Sequence, residues 1–349
     1  MAEHLTLSSG EPQLLEVHDP SDVAEARRIA TRVVSGTDFN DVETAHVALV
    51  ATELTTNLIK HAKGGRLIVR LLQRGTGLGI ELMAIDHGPG IRDLAQAMRD
   101  GYSTAGSPGT GLGAVKRLTW EFDIHSLQGK GTAVLARLWS GQLRRDSNAG
   151  IEYGIVCLPM PGQEVSGDGW RVESLGAKYT CTLVDGLGHG PDAAIPAQAA
   201  LAIAHEYRDK APAEIVERAH GALRSTRGAA LAVGEIDPAS RLVRFCGVGN
   251  IAATIINKAG IRHLVSYNGI VGQEARKITE FTYPWSPDSL LIMHSDGLST
   301  HWDLRNYPAL MQRHPAIIAG VLYRDFSRER DDTTVLAARE LDDGAFRFT

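Results

Sequence analysis

The chain has 349 residues, 43% hydrophobic and 22% charged, with a formal net charge of −5, a balance that fits a globular protein long enough for two cores. The acidic balance and the lack of any Lys/Arg run argue against a nucleic-acid partner. No stretch approaches the roughly 18 consecutive apolar residues of a membrane helix, and MAEHLTLSSGEPQ has neither the basic start nor the apolar core of a signal peptide.

The first periodic segment is helical, from about Asp41 to Lys63. Val47, Ala51, Leu54 and Leu58 form its apolar stripe, and Glu53, Asn57 and Lys60 fall within about 60° of one another beside it. A solvated face would explain that trio by itself. An amide oxygen can also complete the shell of a hard cation, and a nearby carboxylate can accept a hydroxyl proton. Two strand-like runs follow, GRLIVRLLQ and LGIELMAID, the second ending in Asp86-His87-Gly88-Pro89-Gly90. A carboxylate at a strand end can accept hydrogen bonds from an exocyclic amine, and glycines let a nucleotide approach the backbone. Gly109-Thr110-Gly111-Leu112-Gly113 then opens a helical AVKRLTWEF, and GTAVLARLW reads as a closing strand. Glycine-rich amides at a helix start form a phosphate cradle. Either cluster alone reads as a turn, whereas the ordered trio points to a nucleotide.

This stretch resembles the GHKL ATPase/kinase superfamily, and within it the RsbT-like switch kinases, over about residues 10–139. The N box corresponds to Glu53–His61, the adenine box to Asp86–Gly90 and the second glycine box to Gly109–Gly113. The resemblance implies Asn57 as Mg²⁺ ligand and Glu53 as catalytic base or water-orienting group. Lys60 would assist the phosphates and Asp86 would read adenine, with Gly88 and Gly90 giving access. The amides of Gly109, Thr110, Gly111, Leu112 and Gly113 would hold phosphates, and Thr132 would stand near the adenine. His61 is expected to pack or hydrogen-bond, and Tyr102, Ser103 and Thr104 to lie on a lid.

Residues 140–150, SGQLRRDSNAG, read as a linker. Beyond them strand-like runs dominate: YGIVCLPM, KYTCTLVD, LAVGEID, RLVRFCGVG, AATIINK, SLLIMHSD and TTVLAARE. Two helical stretches interrupt them, PDAAIPAQAALAIAHEYRD and APAEIVERAHGALRST. The three cysteines, Cys157, Cys181 and Cys246, sit far apart in apolar runs and read as buried thiols in a reducing cytoplasm. Acidic clusters recur at strand ends: Asp185-Gly186, Asp296-Gly297 and Asp331-Asp332. Carboxylates converging on one sheet edge would repel one another, so a cation is the expected compensation. An all-oxygen donor set favours Mg²⁺ or Mn²⁺ over Zn²⁺.

The second half resembles the PPM phosphatase superfamily, in its SpoIIE/RsbX branch, over about residues 151–341. The resemblance implies Asp185 as the ligand bridging two metals, with the Gly186 carbonyl, Asp296 and Asp331 completing the set. Asp331 is preferred to its neighbour Asp332. Asp168, in SGDGW, would stand behind the metal ligands or ligate through a water. Leu187 follows the Asp-Gly pair where some members have His, so His189 is expected to buttress the loop. No phosphate-binding Arg is evident early in this half.

The expected architecture is α+β in two domains: a GHKL-type α/β sandwich, a mixed sheet plus helix layer, over 10–139, and a PPM-type α-β-β-α sandwich over 151–341. The expected function is a cytoplasmic switch that phosphorylates Ser or Thr on a partner with ATP and Mg²⁺, and dephosphorylates phosphoproteins with two Mn²⁺ or Mg²⁺. The resemblance implies STAS-domain proteins as partners. The alternative reading is an ATP-dependent partner-sequestering first domain fused to an active phosphatase.

Overall fold

The computed structural model describes residues 12–74, 76–98, 111–141 and 150–341. The chain forms two compact units, one of Ser8–Arg145 with Asp303–Arg324, the other built mainly on Asp146–Trp302 and the segment from Asp325 onward. Among the described residues no helix is long and apolar enough to cross a membrane.

The first unit contains β1 (Gln13–Val17), α1 (Asp22–Val34), α2 (Asp41–Asn57), β2 (Gly65–Arg74), β3 (Gly77–Ile85), α3 (Leu94–Ala97), α4 (Gly111–Leu118), β4 (Glu121–Leu127) and β5 (Gly131–Trp139). Its sheet runs β1-β2-β3-β5-β4. Every pairing is antiparallel, which corrects the expected mixed sheet. The chain passes from β3 to the far edge at β4 and returns through a tight turn, so β5 opposes both neighbours. The helical reading of AVKRLTWEF also ends early: α4 stops at Leu118 and Glu121 starts β4, with the Trp120 amide already donating to the Arg137 carbonyl of β5.

Asn40 and Glu43 close a capping box at the start of α2, satisfying two amide donors that a helix N-terminus leaves open. Val47, Val50, Ala51 and Leu54 of α2 join Ile29, Ala30 and Val34 of α1 over Leu67, Val69, Ile80, Leu82 and Ala136 of the sheet. After Asn57 the chain forms a π-helical turn over Leu58–Ala62, ended by Lys63 in the left-handed region.

The opposite face of this sheet carries alternate residues of the same strands. Glu81 takes Arg70 on one oxygen and Arg137 on the other, each at 2.7 Å. The same face receives the segment 303–324. His314 donates its amide to Asp123 at 2.6 Å, and the His125 ring meets the Pro308 carbonyl at 3.1 Å. The helix over Pro315–Phe326 is buried from Pro315 through Arg324. A Cβ at its Gly320 would stand 2.6 Å from the Met83 sulfur, so the missing side chain is what lets the helix approach the strand.

The second unit holds β6 (Ile151–Leu158), β7 (Asp168–Leu175), β8 (Lys178–Gly186), α5 (Pro191–Glu206), α6 (Pro212–Ala222), β9 (Ala229–Asp237), β10 (Leu242–Val248), β11 (Ala252–Asn257), β12 (Gly260–His263), β13 (Ser266–Tyr267), β14 (Phe281–Pro284), β15 (Leu290–His294) and β16 (Thr333–Glu340). One sheet runs β13-β10-β9-β8-β7 with β14 beside β10, and the other runs β12-β11-β15-β16-β6. Val172, Cys181, Leu183, Phe245, Ile255, Leu291, Met293 and Leu336 interdigitate between the sheets. α5 and α6 cover the outer face of β8, β9 and β10 through Ala197, Ala200, Ile215, Val216 and Ala219. All three cysteines are free and buried, and burial pushes the Cys157, Cys181 and Cys246 thiols up to about 12.

Candidate functional sites

In the first unit, Asp86 follows the last residue of β3 and is 9% exposed. Its Oδ1 accepts the Gly88 amide at 2.7 Å and the Thr132 amide at 3.2 Å, and its own amide donates to the Thr132 carbonyl. Burial pushes its carboxyl up, and the two amide donors oppose that. Thr132 shares a 2.9 Å hydrogen bond with Ser126, which accepts the Ile91 amide. Asp86, Gly88 and Thr132 are therefore one hydrogen-bonded unit. A Cβ at Gly88 would lie 2.7 Å from Ala62, so the turn after β3 is packed on the π turn that follows Asn57. Gly90, at φ +73, would put a Cβ 2.5 Å from the Leu127 carbonyl; no other residue fits that turn.

Glu53 and Asn57 are half-buried on the last two turns of α2, and Lys60 is exposed within the π turn. The π turn was not legible in the sequence, and such turns recur where a helix is re-aimed at a functional site. α4 begins at Gly111, with Leu112 and Gly113 buried. Gly109 and Thr110, and Tyr102, Ser103 and Thr104, lie outside the described residues.

In the second unit the predicted acidic residues are brought together. Asp168 opens β7 directly opposite Asp185 near the end of β8. Asp296 lies just past β15, and Asp331 and Asp332 just before its antiparallel partner β16. Asp185 is pushed up to about 8, first by burial and then by the charges of Asp168, Asp296 and Asp331. Asp168 rises to about 7, again through burial, with Asp332 and Asp331 adding to it against the hydrogen bond from Ser295. Asp331 is also raised, by burial and by Asp296 and Asp332, with His189 pulling the other way.

Asn250, which sequence reasoning missed, donates to Asp296 Oδ2 at 2.8 Å, and its amide also helps hold the Asp185 carboxyl down. A polar amide directly after the Gly-Val-Gly end of β10 was its one signal. Asp332 differs from its neighbours. It is buried, and its two oxygens accept the Met160 and Gly167 amides at 2.8 and 2.7 Å. A Cβ at Gly186 would stand 1.9 Å from the Ala193 carbonyl, which keeps the turn after Asp185 against the start of α5.

Among the described residues no three acidic, His or Cys side chains already form a closed metal shell. What calls for a cation is charge: carboxylates gathered at one edge of a sandwich hold protons near neutrality unless a positive ion replaces them. The donors are all oxygens, so the set fits Mg²⁺ or Mn²⁺. The described structure thus gathers two polar centres, a hydrogen-bonded turn at Asp86 and an all-oxygen acidic cluster around Asp185.

Comparison with known proteins also splits the chain in two, although the second match runs through the segment 303–324 that packs in the first unit. Residues 17–138 match the family described as histidine kinase-like ATPase domain, and residues 176–340 match stage II sporulation protein E. The serine/threonine-protein kinase RsbT of Bacillus subtilis (strain 168) is 37% identical over 119 residues, 34% of this chain and 89% of that protein. The phosphoserine phosphatase RsbX of the same organism is 24% identical over 192 residues, 55% of this chain and 96% of that protein. A solved structure described as "The bacterial stressosome: a modular system that has been adapted to control secondary messenger signaling" is 27% identical with TM-score 0.52, covering 54% of this chain and 99% of that one. The fold of RsbX in complex with magnesium is shared at TM-score 0.50 and 22% identity, over 57% of this chain and all of that one. The chain therefore belongs to the histidine kinase-like ATPase family through its RsbT-like first part, and its second part matches the stage II sporulation protein E model and shares the fold of RsbX.

Proposed function

We propose that the protein is a two-way switch on phosphoproteins, phosphorylating Ser or Thr of a partner with ATP in its first unit and hydrolysing phosphoserine or phosphothreonine in its second. The likeness to a serine/threonine kinase and to a phosphoserine phosphatase supports the pairing. The observation that carries the reading is the placement of Asp168 directly opposite Asp185, with Asp296 and Asp331 at the ends of the paired strands β15 and β16, a gathering of carboxylates that burial and mutual repulsion make costly without a cation. The partners would be STAS-domain or similar regulatory phosphoproteins.

In the first unit Asp86 would accept the adenine amine and the amides at the start of α4 would hold phosphate. Asn57 would hold Mg²⁺, and Glu53 would take the proton of the attacking hydroxyl. In the second unit Asp185, the Gly186 carbonyl, Asp296 and Asp331 would hold two divalent cations. Asp168 would act from behind Asp185, Asn250 would orient Asp185 and Asp296, and Asp332 would pin the loops around them. The cations, when bound, supply charge neutralisation and acidify the attacking water. Ser295 fixes the Asp168 carboxylate at 2.7 Å, directly across the strand pair from Asp185.

The test uses γ-labelled ATP and a co-purified phosphoprotein partner. Glu53→Ala and Asn57→Ala should abolish label transfer while leaving release intact, and Asp185→Asn should do the reverse. Loss of release in Glu53→Ala, or transfer that survives both first-unit substitutions, would refute the division of labour. Surviving partner binding without transfer in the wild type would favour ATP-dependent sequestration instead.

A further inference from the structure

The residue expected to read adenine is held in place by a side chain from far outside its own family domain. Arg324 donates from Nη1 to the Asp86 carbonyl at 3.2 Å, and its side chain is buried. The other side of that carbonyl is crowded by Gly131, where a Cβ would stand only 1.9 Å from the oxygen. The Asp86 amide and Oδ1 are engaged as well. Among the described residues no hydrogen bond engages Oδ2, which leaves that oxygen for an exocyclic amine. The turn of helix before Arg324 seats Gly320 against Met83 and Ile85 of β3. Tyr323 lies under the Arg66 guanidinium of β2 at 5.7 Å. Gly320 and Arg324 are four residues apart and share a helix face, so one face of this helix grips the strand end that carries Asp86.

The position of this segment in the chain gives the grip a second meaning. Segment 303–324 starts seven positions after Asp296 and ends seven positions before Asp331. These are two of the carboxylates proposed to hold the phosphatase cations.

We propose that Arg324 is a positioning residue of the nucleotide site, acting through the Asp86 carbonyl, and that the segment 303–324 links nucleotide binding to the Asp296 and Asp331 carboxylates. The inference rests on the reading of Asp86 as the adenine contact. A nucleotide that fixes the Asp86 turn favours one seating of the segment. Whatever at Asp296 or Asp331 favours one seating then changes nucleotide affinity, and by reciprocity a ligand held there and the nucleotide would alter each other's affinity by one factor. Such a link would let one ligand decide which of two opposed activities runs.

The experiment titrates a fluorescent ADP analogue into the full-length chain at saturating Mg²⁺. Arg324→Ala should raise Kd roughly tenfold, as removal of a hydrogen bond from a charged donor predicts. Arg324→Lys should recover part of the loss, while Arg324→Met, which keeps most of the apolar stem, should not. In the phosphorylation assay Arg324→Ala should raise KM for ATP with kcat largely kept, since the side chain does not touch the reacting atoms. Asp296→Asn should shift the wild-type Kd several-fold and leave the Arg324→Ala Kd unmoved, a non-additive double-mutant cycle. A wild-type Kd in both Arg324→Ala and Arg324→Met overturns the positioning role, and an additive cycle overturns the link. Asp86→Asn separates the layers: if it too leaves Kd unchanged, the adenine reading fails, whereas if it alone weakens binding, only the role of Arg324 fails. Should Arg324→Ala not fold, as judged by its thermal melt, the Lys and Met variants decide by the same criteria.

Discussion

Ser295 donates its hydroxyl to Asp168 Oδ2 at 2.7 Å and accepts the Thr334 amide at 2.9 Å, so one side chain ties the start of β7 in one sheet to β16 in the other. Both bonds are buried. Ser295→Ala leaves a carboxylate oxygen and an amide without that partner, a loss of about 1–3 kcal/mol. Urea unfolding should show the midpoint falling with an unchanged slope. Because the hydroxyl also holds the Asp168 carboxyl down, the variant should need a higher Mn²⁺ concentration for half-maximal phosphatase activity. An unchanged midpoint and unchanged metal requirement would contradict this.

Asp331 and Asp332 are adjacent in sequence and opposite in role. Asp332 is buried with both oxygens on backbone amides; Asp331 is half-buried and feels Asp296 across the site. Asp332→Asn turns one acceptor into a donor facing an N–H, and should cost about 2–3 kcal/mol of stability. Asp331→Asn should leave the melting temperature of the metal-free protein equal or higher, because it relieves repulsion, and should lower phosphatase activity at limiting metal. Thermal melts and Mn²⁺ titrations of the two variants check the contrast, and the reverse pattern would exchange the two assignments.

The helix carrying Glu53 and Asn57, the strand ending at Asp86 and the Asp-Gly strand ends of the second unit were legible because each couples a period to a punctuating glycine or carboxylate. The π turn was not, since LIKHA continues a helical pattern and hydrogen-bond spacing leaves no mark on side-chain order. Asn250 was missed because a lone amide after a strand is a common turn residue. The segment 303–324 shows the larger limit. PAIIAGVLYR is apolar on all sides, which announces burial but not which sheet receives it. The decisive contacts, Gly320 on Met83 and Arg324 on Asp86, pair residues more than two hundred positions apart. Periodicity carries no information at that range.

The titration of the acidic cluster sets a pH dependence with a definite sign. Asp185 and Asp168 sit at about 8 and about 7 in the folded chain, against about 3.9 when unfolded. Between those limits the folded metal-free protein binds more protons than the unfolded chain, so its stability falls as pH rises from about 4 to about 8. A divalent cation that takes the place of those protons removes the penalty. The rise in melting temperature on adding Mg²⁺ or Mn²⁺ should therefore be small near pH 5 and grow toward pH 8. Calorimetric melts with and without metal across that range measure it, and a metal effect that shrinks with rising pH would count against the cation site.

Glu81 offers the sharpest stability test in the first unit, because a single buried carboxylate serves two guanidinium groups. Its side chain is 2% exposed, Arg70 and Arg137 are each 2.7 Å away, and Arg137 also reaches Glu121 at 2.7 Å. Burial works against the charge on Arg137, yet the two carboxylates outweigh it and hold the guanidinium more firmly protonated than usual. Removing the shared carboxylate takes the Glu81 ion pair from both buried guanidinium groups, at a cost of about 3–5 kcal/mol. Replacing the whole set with apolar residues of similar volume need not be costly. Glu81→Gln should thus unfold at much lower urea than the wild type, whereas the triple change Arg70→Met, Glu81→Leu, Arg137→Met should recover most of the loss. Recovery would show that the charges add little net stability of their own, while a triple variant as unstable as Glu81→Gln would show that the ion pairs themselves hold this face of the sheet.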